Sequence, residues 1–460
     1  MRQPEGRAGM IPERRTLAGR HDLLALAAAH SHRYPALLES VAHGTAQARY
    51  DVLFAFPESE LRLDHDGRVR DGDDAVVAGL FLDVLDTHWR RSSTSRARAS
   101  SELPFEGGWL LYFGYELAGQ IEPRLQPMRR SASPVALALR CPAALIVDHA
   151  SNTTILVAEA GCTPLLAQMQ ADLHDAPALV EVAPCVRRVD EDDPRRFLDG
   201  VARTQEHLRA GDVFQVNLSR EWRVELAEAM SPALLHAALR RANPSPFAGL
   251  LQWRGFAFAS SSPERLVETR GALAQTRPIA GTRARVDGDD AEARIRELIS
   301  HPKERAEHVM LIDLERNDLG RVCVPGSIEV DELMVVESYA HVHHIVSNVR
   351  GRLRADVTPG EVIRAVFPGG TITGCPKVRC MEIIAGLEQC ARGVYTGSLG
   401  YLGTNGDLDL NILIRTLVLQ DRTISLRAGA GIVVDSDPEA ELAETRAKAR
   451  GLLRALGVEA

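Results

Sequence analysis

The 460-residue sequence lacks the features that mark several large classes of protein. No apolar run reaches the roughly 18 residues that a membrane-spanning helix needs. The net charge of −8 provides no basic surface for nucleic acid. The first twenty residues carry several arginines but no apolar core, which argues against a secretory signal. We therefore expect a cytoplasmic protein that binds neither membrane nor nucleic acid.

Cysteine is also too sparse to define a metal or disulfide framework. The seven cysteines include no C-x-x-C pair, and Cys375 and Cys380 have no further ligand nearby to complete a zinc pattern. Reduced thiols are the expected state in the cytosol. Aromatic residues make up only 5% of the chain, so aliphatic side chains and alanine must carry most of the packing.

Several catalytic and nucleotide-binding motifs are missing. The sequence contains neither G-x-S-x-G nor G-x-C-x-G, so it has no nucleophile elbow of the hydrolase or glutaminase kind. No G-x-G-x-x-G follows a strand, which argues against a dinucleotide-binding fold. The glycine-rich turn at 367–377 fails the spacing of a phosphate-binding P-loop.

The hydrophobic pattern alternates between the periods of helices and strands. Strands are predicted at 213–226, 256–260, 344–349, 397–402, 410–419 and 423–428. Helices are predicted from Pro194 to Gly211 and at 290–300, 359–366, 376–387 and 438–456. Because strands outnumber what a β-α-β series supplies, we predict an α+β fold with large, mainly antiparallel sheets flanked by helices.

The chain divides into regions by composition. Residues 1–20 are expected to form a loose leader, 21–185 an N-terminal region, and 190–460 a motif-rich catalytic region. The charged run 186–194 is predicted to be a solvated link between these two regions. The Ser/Arg-rich stretch 90–101 is predicted to be an exposed loop.

The strand at 213–226 has two different faces. One face is apolar apart from Arg220, whereas Gln215, Asn217 and Ser219 lie on the other. Such a strand can form the floor of a polar cavity. The pattern alone favours the simpler interpretation that the amide-bearing side faces water.

The last predicted helix carries Glu441, Glu444 and Lys448 on one face. Together with Glu307, the two glutamates would make an all-oxygen site of the kind that suits Mg²⁺. The alternative is an ordinary solvated charged face. Sequence spacing alone does not bring the two segments together.

Other polar residues could hold an anion or transfer a proton. The turns at 367–377 and 428–432 offer backbone N–H groups to anions. Arg415 lies among apolar neighbours and either pairs internally or holds a ligand anion. A buried Glu264 could act as a proton donor, although adjacent Arg265 suggests a plain ion pair. His344 precedes a strand and is either structural or functional.

Seven motifs occur in order and together resemble one enzyme family. They are SPER (262–265), TRPIAGTRAR (276–285), KERAEHVMLIDLERNDLGRV (303–322), HHIVSNV (343–349), FPGGTITGCPKVRCMEII (367–384), LNILIRTL (410–417) and AGAGIVVDSDPEAELAET (428–445). The chain resembles the chorismate-utilising enzymes, which include component I of anthranilate and aminodeoxychorismate synthases and the isochorismate and salicylate synthases. The resemblance covers at least 193–456. The segments 37–40, 48–57 and 103–119 extend it, the last being most similar to the aminodeoxychorismate synthase branch.

The resemblance implies a fold similar to anthranilate synthase component I, and a role for each matching residue. Glu307 and Glu444, with Glu441 beside them, match magnesium ligands. Glu264 matches the general acid, and His344 matches the histidine next to the reacting ring of chorismate. The groups that hold the substrate carboxylates match Arg415, Lys448, Gly429 and Gly431, with Thr373 and Gly374 at a second edge of the pocket. Ser40 matches a residue that lines a regulatory tryptophan pocket.

Two positions bear on the reaction. Water-adding members of the family carry a lysine base where this chain has Gln215, so an amine-adding member is expected. Aminodeoxychorismate synthases commonly carry a lysine nucleophile where this chain has Ala280, and anthranilate synthases carry alanine. The expected product is 4-amino-4-deoxychorismate, with anthranilate as the alternative. Because no glutaminase motif is present, a glutaminase subunit (component II) is expected to supply ammonia.

Overall fold

The computed structural model describes residues 11–41, 49–92, 101–126, 128–131, 133–284, 302–338 and 342–459. For residues 280–284, 302–304, 338 and 342–343 it describes the backbone alone. The helix predicted at 290–300 and most of the loop predicted at 90–101 lie outside the described residues.

Strands provide most of the regular structure. In the first half of the chain they are β1 (Glu13–Ala18), β2 (Ala36–Glu39), β3 (Tyr50–Ala55), β4 (Ser59–Leu63), β5 (Val69–Asp71), β6 (Val76–Val77), β7 (Gly108–Phe113), β8 (Ala136–Cys141), β9 (Ala143–Asp148), β10 (Thr153–Ala158), β11 (Val186–Glu191) and β12 (Gln215–Leu226). In the second half they are β13 (Phe247–Trp253), β14 (Phe256–Ser262), β15 (Arg265–Arg270), β16 (Leu273–Thr276), β17 (Ile279–Ala284), β18 (Glu329–Ser338), β19 (Val342–Arg352), β20 (Gly374–Cys375), β21 (Ser398–Gly403), β22 (Leu408–Asn411), β23 (Thr416–Gln420) and β24 (Thr423–Ile432).

Helices connect and cover these strands. They are α1 (Leu23–Ala29), α2 (Phe81–Ser92), α3 (Ala118–Ile121), α4 (Thr163–Asp175), α5 (Pro194–Arg209), α6 (Pro232–Ala242), α7 (Pro302–Gly320), α8 (Pro359–Val366), α9 (Lys377–Glu388) and α10 (Pro438–Ala455). Polar caps define where several of them begin. Asp193 and Asp437 accept backbone N–H bonds at the starts of α5 and α10, and Pro occupies the first position of each. No helix of the described part is long and apolar enough to cross a membrane.

Among the described residues, the strands form two sheets of twelve, in which the paired strands are antiparallel. The first sheet has the order β1-β10-β9-β3-β2-β13-β14-β23-β24-β12-β11, with β20 beside β12. The second has the order β17-β19-β16-β15-β22-β21-β7-β8-β4-β5-β6, with β18 beside β19. The predicted α+β class with large antiparallel sheets is confirmed. Each sheet takes strands from both the N-terminal and the C-terminal region of the sequence.

The few aromatic side chains are concentrated where the two sheets pack against each other. Phe258 of the first sheet lies 5.4 Å from Tyr112 of the second, measured between ring centroids. Phe54 and Tyr401 make a similar pair at 6.1 Å. Because each buried ring removes 150–250 Å² of surface from water, a small number of such pairs contributes a large part of the core. Helices cover the outer faces of the sheets.

Three predicted segments differ from the structure. The charged run 186–194 is not a link, because β11 pairs with β12 at the edge of the first sheet. An edge strand tolerates charged side chains since one of its sides faces water. Residues 13–18, expected in a loose leader, form β1 and pair with β10. The strand predicted at 410–419 is interrupted between β22 and β23.

A buried ion cluster fastens α9 to the first sheet. The carboxylate of Glu388 pairs with Arg392 at 2.6 Å and with Arg427 at 3.3 Å. It also accepts hydrogen bonds of 2.9 Å from the backbone N–H and the hydroxyl of Ser219. Burial alone would raise the pKa of Glu388, but the two guanidinium groups outweigh it and hold that pKa below its usual value. Glu388 is therefore ionised in the interior of the protein.

Arg392 extends this cluster to three further segments. Its guanidinium donates to the carbonyl oxygens of Asn217 at 2.7 Å and Ile372 at 3.0 Å. Its own backbone N–H donates to the carboxylate of Glu116, which lies in the 103–119 segment of the N-terminal region. One buried cation thus fixes a strand, a glycine-rich turn and the N-terminal region relative to one another.

We predict that Glu388→Ala lowers the free energy of unfolding by about 3–5 kcal/mol, because it leaves two buried guanidinium groups without their anion. Urea denaturation followed by circular dichroism measures this change. Glu382→Ala is the matched control on the same helix. Its partly exposed carboxylate pairs with Arg379 at the surface, and its loss should cost less than about 1 kcal/mol. Equal losses in the two variants would contradict the role given to Glu388.

Candidate active site

A cavity of about 170 Å³ lies where elements of both sheets meet. Asn217 of β12 and Gly429 of β24 come from the first sheet, and Ile279 of β17 and His344 of β19 come from the second. The rest of its wall is formed by Pro263, Glu264, Thr371, Ile372, Tyr395, Ile414, Arg415, Arg427, Ala428, Lys448 and Leu452. Larger cavities exist elsewhere, but this one collects residues from six of the seven ordered motifs.

Glu264 is the acid of this cavity. Its side chain follows β14 and is 5% exposed. Burial raises the pKa of Glu264 to about 7, although the Thr371 hydroxyl, the backbone N–H of Ile279, Arg415 and Lys448 oppose the rise. The suggested ion pair with Arg265 does not form, since Arg265 pairs with Asp409 at 3.0 Å. A carboxyl with this pKa can donate a proton near neutral pH.

Arg415 supplies a cation that no described carboxylate within 4.0 Å neutralises. It lies in the interruption between β22 and β23 and has a φ of +52°. Such a conformation is uncommon for a residue with a long side chain and tends to persist at functional sites. Burial lowers the pKa of Arg415, and Glu264 opposes this shift. Of the two interpretations from sequence, the structure thus favours an arginine directed at a ligand.

Lys448 connects α10 to the glycine-rich turn after β24. Its ammonium group donates to the carbonyl oxygen of Gly429 at 2.9 Å and pairs with Glu444 at 2.7 Å. The positive charge of Lys448 thereby relieves the repulsion between the glutamates of α10. Together with Arg415 and Arg427, it gives the cavity wall three cations beside the single carboxyl of Glu264. This charge pattern suits a ligand that carries two carboxylates.

The amide-bearing face of β12 does not face water. Asn217 and Ser219 are each 8% exposed. Ser219 bonds to Glu388, and Asn217 reaches the cavity wall. The simpler interpretation from the sequence pattern is therefore wrong. The reason is that α9 and the ion cluster around Glu388 cover this side of the strand, which the strand's own pattern does not reveal.

Gln215 lies beside the cavity and is absent from its wall. Its amide nitrogen would be 2.1 Å from a Cβ at Gly431, so the two residues are packed together. Gly431 allows this approach because it lacks a side chain. Of the two glycines in this turn, Gly429 lines the cavity.

Of the two threonines in the 367–377 turn, Thr371 lies on the cavity wall, and Thr373 lies behind it. The hydroxyl of Thr373 donates to the carbonyl oxygen of Gly369 at 2.9 Å, and its own carbonyl accepts from Asn217 N–H at 2.9 Å. Gly374 has a φ of +129° and packs against the backbone of Gln215. Thr373 and Gly374 therefore shape the turn, and Thr371 presents the hydroxyl to the cavity.

His344 and Ala280 lie on neighbouring strands of the second sheet. The His344 side chain is 2% exposed and lines the cavity. Ala280 pairs with Ile345 in the ladder between β17 and β19. Its side chain lies outside the described residues, so the prediction made for this position stays a prediction.

The three predicted metal ligands lie on two helices. Glu307 belongs to α7, and Glu441 and Glu444 belong to α10. Glu441 is buried and accepts a hydrogen bond of 2.7 Å from the Ser436 hydroxyl. In the described part of the chain, no three acidic, histidine or cysteine side chains form a ready-made metal cluster. Carboxylates alone nevertheless match the preference of Mg²⁺ for a few oxygen ligands completed by water and an anionic substrate.

Sequence reasoning did not select Thr371, Tyr395 or Arg427 as site residues. Thr371 and Arg427 lie within or beside the two glycine-rich turns, so proximity to those turns was an available signal. Tyr395 has no such signal. Its ring is brought to the cavity by the segment between α9 and β21, next to the guanidinium groups of Arg392 and Arg427.

A second acid with a raised pKa lies close by and outside the cavity wall. Burial, together with neighbouring Asp318, raises the pKa of Glu315 to about 8. Glu315 lies in α7 on the far side of Gly370, where a Cβ would be 3.6 Å from its carboxylate oxygen. Asp318 pairs with Lys377. Position in the wall, rather than pKa alone, therefore distinguishes Glu264.

Ser40 lies in a separate cavity of about 430 Å³. Its hydroxyl donates to the carbonyl oxygen of Pro246 at 3.3 Å. The wall also includes Glu39, Tyr50, Phe247, Arg265 and Tyr401, so it joins both sheets. Arg265 follows Glu264 directly in the chain, which places the two cavities on opposite sides of one turn.

We predict that the contribution of Glu264 to stability falls as the pH rises from about 4.5 through about 7, because the buried carboxyl must lose its proton over that range. The folded-state pKa is raised, so the contribution is favourable at low pH and lost at high pH. Glu264→Gln removes this titration. Urea denaturation measures the free energy of unfolding at pH 5 and pH 8. The value for the variant minus the value for the wild type should rise by about 3 kcal/mol between these two pH values. A pH-independent difference would place the pKa of Glu264 near its ordinary value.

Known proteins resemble the chain over three quarters of its length or more. A Bacillus subtilis protein named aminodeoxychorismate synthase component 1 is 38% identical over 93% of this chain and 93% of its own. A Synechocystis protein named anthranilate synthase component I-like protein is 43% identical over 77% of this chain and 73% of its own. The crystal structure of anthranilate synthase component I from Streptococcus pneumoniae has a TM-score of 0.78 and 30% identity, covering 89% of this chain and 93% of that one.

The family described as chorismate binding enzyme matches residues 35–454. This span includes every residue of the cavity wall and continues through the N-terminal region that contributes strands to both sheets. The chain is therefore a member of the chorismate-binding enzyme family and acts on chorismate.

Proposed function

We propose that the chain is component I of an aminodeoxychorismate synthase. It would convert chorismate and ammonia to 4-amino-4-deoxychorismate and water, in the synthesis of 4-aminobenzoate and folate. The supporting observation is a buried acid with a pKa of about 7 in a cavity that otherwise presents cations. A glutaminase subunit would supply the ammonia, since the sequence has no nucleophile elbow of its own.

The cations of the wall match the two carboxylates of chorismate. Arg415 offers a fork of N–H donors that no described carboxylate occupies, and Lys448 brings a positive charge to the turn at Gly429. Binding the dianion places like charge near Glu264 and so favours its protonated form. His344 contributes a planar side chain to the opposite wall, next to where the ring would lie.

Glu264 would donate its proton to the C4 hydroxyl group. The carbon–oxygen bond then breaks, and the hydroxyl leaves as water while nitrogen forms the new bond to the ring. A positioned general acid of this kind contributes about 10²–10⁴-fold to the rate. The protonated fraction of Glu264 is substantial at neutral pH because of its raised pKa.

Glu307, Glu441 and Glu444 would hold Mg²⁺. When bound, Mg²⁺ neutralises a substrate carboxylate that the glutamates would otherwise repel. Within the chain, Ser436 donates a hydrogen bond to Glu441 and Lys448 pairs with Glu444, and these contacts orient the two carboxylates.

The alternative product is anthranilate, which requires loss of pyruvate after amination. Ala280 supports this alternative, because it removes the lysine nucleophile that the resemblance associates with aminodeoxychorismate synthases. The relative from Bacillus subtilis, which matches over 93% of both chains, supports the first proposal through its name. Both products require ammonia, so the two alternatives share the site described above.

The cavity around Ser40 is the proposed site for tryptophan. Its wall offers a carboxylate for the ammonium group of an amino acid and guanidinium groups for its carboxylate. The rings of Tyr50 and Phe247 provide apolar surface for the side chain. The shared turn at Glu264 and Arg265 would connect its occupancy to the catalytic cavity.

Product identification tests the proposal. We expect the purified chain, given chorismate, Mg²⁺ and an ammonium salt, to form an aminated product that retains the enolpyruvyl group and that a lyase converts to 4-aminobenzoate. Mass spectrometry identifies it. Glutamine in place of ammonium should give no product, since the chain has no glutaminase motif. Anthranilate with released pyruvate would assign the chain to the alternative, and turnover of glutamine would contradict the need for a second subunit.

We predict that Glu444→Ala weakens Mg²⁺ binding by more than about tenfold in the presence of chorismate and abolishes Mg²⁺-dependent turnover. Calorimetric titration with Mg²⁺ measures the affinity independently of activity. Glu439→Ala is the matched control, because Glu439 is exposed in the first turn of the same helix. Unchanged Mg²⁺ affinity in Glu444→Ala would exclude Glu444 as a ligand.

A further inference from the structure

The side chain of Asn217 presents a buried acceptor to the catalytic cavity. Asn217 is 8% exposed, and its amide oxygen Oδ1 has no hydrogen-bond partner among the described residues. Its backbone is fully engaged, since the N–H donates to Thr373 at 2.9 Å and the carbonyl accepts from Arg392 at 2.7 Å. The strand is therefore fixed, and the side chain of Asn217 lies in the cavity wall with this oxygen unpaired.

A second oxygen converges on the same place. A Cβ added to Gly429 would lie 2.7 Å from Asn217 Oδ1 and 2.6 Å from the hydroxyl oxygen of Tyr395. Both residues line the catalytic cavity. These contacts are too short for a side chain, so glycine at position 429 allows both oxygens to approach the same part of the cavity wall, on the side where β12 and β24 pair.

An unmatched buried acceptor costs about 1–3 kcal/mol, so a ligand that donates a hydrogen bond is expected to fill this place. Two of the three cationic side chains of the wall are already committed, and the third, Arg415, is assigned to a substrate carboxylate. Arg427 donates to Ser219 and pairs with Glu388, and Lys448 donates to Gly429 and pairs with Glu444. A dicarboxylate substrate offers acceptors almost exclusively. Ammonia, by contrast, brings three N–H donors and has the size of a water molecule.

The local charge favours neutral ammonia over the ammonium ion. The guanidinium carbon of Arg427 lies 6.0 Å from the Tyr395 ring, and that of Arg392 lies 5.5 Å from it. These two guanidinium groups share the single carboxylate of Glu388, so a net positive charge remains and a further cation is repelled there. Both acceptors are neutral, because burial raises the pKa of Tyr395 to about 12 and keeps its hydroxyl protonated. The nucleophilic form of the amine is the form that this environment accepts.

We propose that Asn217 Oδ1 and the Tyr395 hydroxyl oxygen form the ammonia-binding subsite, and that Asn217 orients the nitrogen lone pair towards the substrate ring. This inference rests on the proposed amination of chorismate. The lone pair forms the carbon–nitrogen bond, the hydroxyl leaves as water with the proton of Glu264, and the surplus proton on nitrogen passes to solvent. Asn217 takes no proton, and its Oδ1 only accepts a hydrogen bond from the nitrogen.

Steady-state kinetics of Asn217→Leu test the subsite. At saturating chorismate and fixed pH, the KM for ammonia should rise about tenfold, the loss of one hydrogen bond to a polar ligand. The Kd of chorismate, measured by calorimetry without ammonium, should stay within about twofold of wild type. Gln252→Met is the matched control: its buried amide lies in β13 of the same sheet and donates to the Ala27 carbonyl, outside the cavity.

Three outcomes would overturn the subsite. An unchanged KM for ammonia excludes a contact with the nucleophile, and a weakened chorismate Kd assigns Asn217 to the substrate hydroxyl. An equal increase in the KM for ammonia in Gln252→Met would show that loss of any buried amide in this sheet has the same effect. If Asn217→Leu does not fold, Asn217→Ser is measured in the same way. Absence of any ammonium-dependent product in the wild type would instead remove the proposed function itself.

Discussion

The ionised carboxylate of Glu388 is the constraint on which the rest of the site depends. Removing a carboxylate from water costs several kcal/mol, so it persists in the interior only with close cationic partners and hydrogen bonds. Arg392, Arg427 and Ser219 supply these. Ion pairs of this kind contribute orientation more than stability. Here the orientation extends to β12, β24 and the turn at Ile372, three of the elements that build the catalytic wall.

The same cluster decides which charges remain for a ligand. Arg427 lines the cavity, but its charge is balanced by Glu388. Lys448 is partly balanced by Glu444, and that balance can shift when Glu444 binds a metal ion. Arg415 is left as the cation with no described carboxylate partner, and it lies directly before β23 with a φ of +52°. The three cations of the wall therefore differ in how much of their charge remains for a ligand anion. Glu264 keeps its raised pKa because none of these cations pairs with it directly.

The sequence predicted the fold class and most elements of the C-terminal region, because the periodicity of a helix or strand is a local property. The errors arose where a distant partner decides the outcome. The charge pattern of β11 is typical of a link, and only its pairing with β12 makes it a strand. The burial of Asn217 depends on Arg392, 175 residues further along the chain. The single strand predicted at 410–419 ignored the turn at Arg415, whose strained backbone has no signature in the pattern.

The family resemblance predicted roles for Glu264, His344, Arg415, Gly429 and Lys448, and the structure brings these five into one cavity. The family resemblance carried that prediction, since the residue types alone left each role open. Tyr395 and Arg427 were missed because an aromatic ring and a paired arginine carry no motif of their own. Thr371 and Thr373 could not be separated, because which hydroxyl faces the cavity depends on backbone hydrogen bonds within the turn.

Under the proposed reaction, the site must hold a protonated acid and an unprotonated amine at the same pH. With a pKa of about 7, Glu264 in the free protein loses its proton as the solution becomes alkaline enough to supply ammonia. Binding the chorismate dianion raises that pKa further, because like charge disfavours the ionised carboxyl. Cations beside Tyr395 disfavour the ammonium ion in turn. The bound dianion and the cations of the wall thus widen the pH range in which protonated Glu264 and neutral ammonia coexist. The dianion acts on the acid and the cations act on the amine, so both are needed.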